Sequence, residues 1–354
     1  ANTETTDHPD TTGVTITSNG EKTSNTITVN TAENQTTNVT LENVHIQPDS
    51  KWSSDPAPIE IKGNGNTNLE LNGDNTVLSG NSKHAGIEKA AINGNGTLTI
   101  KDDVNNDGSE KKGTDTDTTG KLFAGGFDNS AGIGGGCGNK LADTSNITIT
   151  DGDITAVGGY YGAGIGGGNG GVASNIRIEG NAHVTAFADG GAAIGAGELG
   201  SSDVTITGHA NVDATGRCGA AIGLGNSGYQ TTITISGDAT VNAEGVDCTG
   251  AIGSGRNSGS KVTVNIKDNA NVTAIADGVA IGNNGGWSGS STTINITGGT
   301  VDAVSHFFNS KPAIGANSGS LNLTVNSSTG KTTVNAYNSD DYSPIGTGYT
   351  NDIT

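Results

Sequence analysis

An Ile-Gly pair preceded by alanine or glycine returns along this chain at Ile133, Ile165, Ile194, Ile222, Ile252, Ile281 and Ile314, with a weaker copy at Ile345. The intervals are 32, 29, 28, 30, 29, 33 and 31 residues. A period of that length over 354 residues restricts the chain to a stack of repeated units. Two further pieces follow each anchor, both alternating apolar and polar residues with the two-residue period of a pleated strand. The first reads "ITIT" from Ile147, "IRI" from Ile176, "VTVNI" from Val262 and "INI" from Ile294. The second sets a β-branched residue two positions before alanine: Ile154 and Ala156, Val184 and Ala186, Val212 and Ala214, Val241 and Ala243, Val272 and Ala274, Val301 and Ala303, Val334 and Ala336.

Three short strands per coil of about 30 residues, with Gly, Asn and Asp between them, predict an all-β fold. The expected form is a single-stranded parallel β-helix, right-handed by the default of strand chirality. Coils stacked about 4.8 Å apart would enclose ladders of Ile, Val and Ala. The expectation is one domain over residues 1–354: a capping segment at 1–36, irregular first coils at 37–101, an inserted polar surface loop at 102–126 and regular coils at 127–354.

Composition bounds the function. A formal net charge of -19 and only three arginines, Arg177, Arg217 and Arg256, argue against nucleic acid and anionic membranes, which need clustered cations. No apolar run approaches the roughly 20 residues of a membrane helix. The chain begins "ANTETTDHPD" without Met and stops at "GTGYTNDIT", which reads as a monomeric fragment of a larger protein.

The "AAIGLG" clusters look like phosphate cradles, but such a cradle opens a helix, and these lead into more strand. With Ile inward, Ala193 and Gly195, Ala221 and Gly223, and Ala251 and Gly253 are expected to form a flat outward face, either a surface covered by loops or the floor of a groove. Tyr160, Tyr161, Phe307, Phe308 and Tyr342 fall in the turn before the anchor, and Tyr229 and Trp287 in the loop after it. Rings bordering that face beside hydrogen-bonding groups would suit a sugar, so Tyr160, Tyr161, Tyr229, Trp287, Phe307 and Phe308 are the candidate ligand-binding residues. The same residues could equally be satellite hydrophobic clusters covering the face.

Asp103-Val-Asn105-Asn-Asp107-Gly108 has calcium-loop spacing, although Thr114 stands where the bidentate Glu belongs. Cys218 and Cys248 each lie four positions before an anchor, so they should stack in neighbouring coils at a separation that suits a disulfide or a reduced pair. Asp153, His183 and Asp213 form the best acid constellation for catalysis, and a thin one, because a hydrolase needs two or three converging carboxylates.

The "AGIGGG" anchors, the "ITITDGDITAVGG" repeat and the "PIEI" and "NLELNG" strands resemble bacterial cell-surface β-helix proteins that bind carbohydrate. More distantly, the chain is similar to the pectate-lyase-like right-handed β-helix superfamily. The resemblance runs from about Val14 onward and rests on structural motifs, so it bears on fold more than on function. It implies an extracellular, cell-surface or secreted protein whose partners are glycans, with non-catalytic adhesion as the leading function. The alternatives are a β-helix glycoside hydrolase or polysaccharide lyase, and a structural stalk. Ice binding through threonine faces is weakened by the Asn, Asp and His that interrupt any regular array.

Overall fold

The computed structural model describes residues 13–49, 56–81, 83–102, 120–138, 140–247, 249–259, 261–285, 289–306, 311–327, 331–339 and 343–348. They form three parallel sheets of eleven strands, and within each sheet every strand pairs with its counterpart one coil further along. The first sheet runs from Val14–Thr17 to Ser320–Val325, and the third, the anchor sheet, from Ile27–Asn30 to Ile345–Thr347. The rungs of the second sheet, numbered one to eleven, are Lys22–Thr23, His45–Ile46, Asp74–Leu78, Lys121–Gly125, Asp153–Val157, His183–Ala188, Asn211–Gly216, Thr240–Gly245, Asn271–Ala276, Gly299–Ser305 and Thr332–Asn338.

The repeated grammar becomes in-register columns. Ile154, Val184, Val212, Val241, Val272 and Val301 stack on one another, and so do Ala156, Ala186, Ala214, Ala243, Ala274 and Ala303. All of them are buried. Alternation in each strand therefore puts one face into the core, where each large aliphatic side chain contributes roughly 1.5–3 kcal/mol. The small Ala column leaves room at the corner, where the backbone at Gly164 comes close to the carbonyls of Ala156 and Phe187.

A second kind of column shapes the anchor. Gly134, Gly166, Gly195, Gly223, Gly253, Gly282, Gly315 and Gly346 stack in register with φ between +129° and +148°. An L side chain rarely adopts that backbone, and a Cβ at Gly166 would be driven into the carbonyl oxygen of Gly195. The chain turns sharply about each Ile-Gly pair. Closing bonds run from the amide of Ala163 to the carbonyl of Gly167 (2.9 Å), from Ala192 to Ala196 (2.8 Å) and from Ala220 to Leu224 (2.9 Å).

Two boundaries differ from expectation. Val14–Thr17, Lys22–Thr23 and Ile27–Asn30, placed in the capping segment, form a complete first rung, because "VTIT" and "ITVN" find in-register parallel partners. The insertion expected at 102–126 is shorter. Lys121–Gly125 is the fourth rung of the second sheet, since Leu122 and Ala124 continue the two inner columns. Asp102 is buried, and its Oδ2 accepts the Gly120 amide at 3.0 Å, which joins the two ends of the excursion.

The glycine column stops at rung three, where Glu88 occupies its register. That carboxylate is buried; its Oε2 lies 2.8 Å from His84 Nδ1, and its Oε1 has no hydrogen-bond partner among the described residues. Burial pulls the His84 pKa down, but the Glu88 hydrogen bond and the carboxylates of Glu88 and Glu60 outweigh it, so the net direction is up.

Candidate functional site

The outer face of the second sheet carries three columns. One reads Asp74, Lys121, Asp153, His183, Asn211 from rung three to rung seven, and the next reads Thr76, Phe123, Thr155, Thr185, Asp213. The third holds Leu78, Gly125, Val157, Phe187 and Thr215. Alternation turns these side chains to solvent because their neighbours in each strand fill the core.

Asp153, His183 and Asp213 do come together here. His183 Nδ1 lies 3.5 Å from Asp153 Oδ1 and Nε2 lies 3.9 Å from Asp213 Oδ2. The imidazole thus stands between the carboxylates, where a sugar would sit if they were to work on one glycosidic bond from opposite sides. Beside it a shallow hollow of about 200 Å³ is lined by Asp74, Thr76, Lys121, Phe123, Asp153 and Thr155.

Rings gather on the same flank. Phe123 (40% exposed), Phe127 (55%), Tyr160 (54%) and Phe187 (42%) belong to three consecutive coils. The Tyr160 and Tyr161 rings meet edge to face, with centroids 4.5 Å apart and an interplanar angle of 88°. The Asp189 carboxylate, foremost, pushes the Tyr160 phenol up. Arg217 is held by Asp247 at 2.6 Å and Asp189 at 3.5 Å.

The flat Ala/Gly face does not reach solvent. Ala193, Gly195, Ala221, Gly223, Ala251 and Gly253 are buried. The turn before each anchor meets the loop after a neighbouring anchor across that face. Backbone bonds from Glu198 to Tyr161 (2.9 Å), from Asn226 to Gly190 (2.7 Å) and from Arg256 to Cys218 (2.9 Å) sew the seam. The face is buried because these turns and loops close over it. The expected aromatic border is therefore split by position: Tyr160 and Tyr161 lie at the edge of the second-sheet patch, whereas Tyr229 is exposed on the far side of the seam. Trp287, Phe307, Phe308 and Tyr342 lie outside the described residues, as do Asp103, Asn105 and Asp107 of the expected calcium loop.

Cys218 carries a free, partly buried thiol whose pKa is raised by burial and then by Asp189. Cys248, its expected partner, lies outside the described residues.

Leu199 is an exposed residue of the post-anchor loop with φ +61°, at the position taken by Gly170, Ser227 and Asn257 in neighbouring coils. A left-handed backbone costs a branched side chain about 1–2 kcal/mol. Leu199→Gly is expected to raise the thermal midpoint, with a gain of about 1 kcal/mol in denaturant titration.

A β-helix repeat family model matches residues 147–169, 204–226 and 294–320. Each match runs from a first-sheet strand through the second sheet and past the anchor, and the third reaches Ser320, the start of the next first-sheet strand. The fold is that of a β-helix built from repeated coils. No curated protein and no solved structure matches this β-helix.

Proposed function

We propose that this β-helix is a non-catalytic binding region of a bacterial surface protein that attaches to glycans through the outer face of its second sheet. The supporting observation is the run of exposed rings, Phe123, Phe127, Tyr160 and Phe187, beside the Asp, His and Thr columns of rungs three to seven. The apolar face of a pyranose packs on a ring while its hydroxyls need nearby acceptors and donors, and this flank offers both. Binding sites of this kind concentrate their energy in a few aromatic anchors.

On a glycan array, wild-type protein is expected to bind with no release of reducing ends, and Phe187→Ala and Tyr160→Ala are each expected to weaken binding roughly tenfold, about 1.4 kcal/mol. The Asp153–His183–Asp213 cluster favours one other reading, a glycoside hydrolase or lyase. Product release from any polysaccharide, abolished by Asp153→Asn, would establish that reading and remove the first.

A further inference from the structure

Acids and rings alternate along the patch. Asp74 stands on rung three, Phe123 on rung four, Asp153 on rung five, Phe187 on rung six and Asp213 on rung seven, each partly or fully exposed on the outer face. Carboxylate therefore returns every second rung, about 9.6 Å, and so does the ring. Five rungs span four intervals, about 19 Å. The acids and the rings form two edges, acids in the first and then the second column and rings in the second and then the third, so a ligand lying between them crosses the strands at a slant.

The charge on the patch is also patterned. Lys121 stands in register between Asp74 and Asp153. His183 lies within 3.9 Å of both Asp153 and Asp213, and Arg217 is flanked by Asp189 and Asp247. Each basic side chain of the patch thus has a carboxylate on either side. A ligand bearing acid groups would meet uncompensated repulsion here, while one bearing hydroxyl or ammonium donors would meet acceptors.

Building on the glycan reading above, we infer that the patch holds a linear, extended β-1,4-linked glycan without acid groups, running along the rod at one sugar unit per rung. In such a chain each unit is flipped relative to the last, so the same edge returns every second unit. That two-unit repeat is the one the alternating rungs present. One unit stacks on Phe123, the next offers its donors to Asp153, and the next stacks on Phe187. A helical α-linked chain turns its faces away from a straight strip and cannot keep this phase.

The test is calorimetric titration of the whole chain with glucose oligomers of β-1,4 linkage from two to six units, β-1,4-linked glucosamine oligomers of the same lengths, and galacturonate oligomers. Affinity is expected to rise steeply up to four or five units and then level off, as five rungs require. Glucosamine oligomers should bind at least as tightly as glucose oligomers, and galacturonate at least tenfold more weakly. Phe123→Ala and Phe187→Ala should each weaken the six-unit chain roughly tenfold with the melting curve unchanged, because both rings are exposed. Affinity independent of length, tighter binding of galacturonate, or weaker binding of glucosamine than of glucose would overturn the inference while leaving glycan attachment standing. Failure of every glycan on an array would remove the parent reading instead.

Discussion

Gly166→Ala is expected to destabilise the rod by about 3–5 kcal/mol, whereas Gly164→Ala, two residues away in the same anchor, should cost less, about 1–3 kcal/mol. The difference comes from the columns the two glycines occupy. Gly166 has φ +140°, and a methyl group there would enter the Gly195 carbonyl, a backbone atom that can withdraw only by separating two rungs. Gly164 is in register with Ala193, which carries that methyl natively one coil further on. A Cβ at Gly164 would lie 2.6 Å from Ala193 O, also a backbone atom, so the rungs must shift there too, but the overlap is smaller than at Gly166 and the backbone at Gly164 is not left-handed. Chemical denaturation of the two variants beside wild type checks the ratio. Equal losses would mean that the positive φ, rather than being required, is incidental.

His84→Ala should be nearly as damaging, at about 3–5 kcal/mol, because it leaves the buried Glu88 carboxylate without its imidazole. The double substitution His84→Ala with Glu88→Gly removes the charge and restores glycine to its column, so most of that loss should be recovered. The pair also carries a pH signature. A histidine whose folded pKa lies above its unfolded value of 6.5 contributes stability that is complete below pH 6.5 and is lost as pH rises through the folded value. Unfolding free energy measured between pH 6 and pH 9 should therefore fall more in wild type than in the double variant. A parallel pH dependence in the two proteins would refute the coupling.

The fold was legible because its two periods are independent of each other. The anchor interval counts coils, and the Val-x-Ala spacing assigns a face to each strand, so Ile154, Val184 and Val212 could be placed in a core column from spacing alone. The site was less legible. His183 and Thr185 could be placed on the outer face, but Phe187 extends the same strand by a third outward position, and strand length is settled by pairing with Asn211–Gly216 rather than by composition. Phe123 was hidden because "KLFAGG" follows a polar excursion and resembles its tail, although Leu122 and Ala124 hold the same spacing as Ile154 and Ala156. The expectation of an exposed Ala/Gly face failed for a different reason. The pre-anchor turn and the post-anchor loop, joined by backbone bonds such as that from Asn226 to Gly190, close over the face, and contacts between loops carry no period in the sequence.

The constant partner distance along the stack limits how such a protein can change during descent. A single inserted or deleted residue within a strand exchanges its inner and outer faces, whereas loss of one whole coil leaves every remaining pair able to reform with the next. Duplication or loss of complete coils is then the tolerated route to a longer or shorter rod. Removing the coil that contains Asp153–Val157 would preserve the core columns while bringing Phe123 and Phe187 onto adjacent rungs. Lineages that gain or lose one coil inside the patch would keep the architecture and change the phase of what it recognises. Those that gain or lose coils beyond Asn211–Gly216 would change only reach.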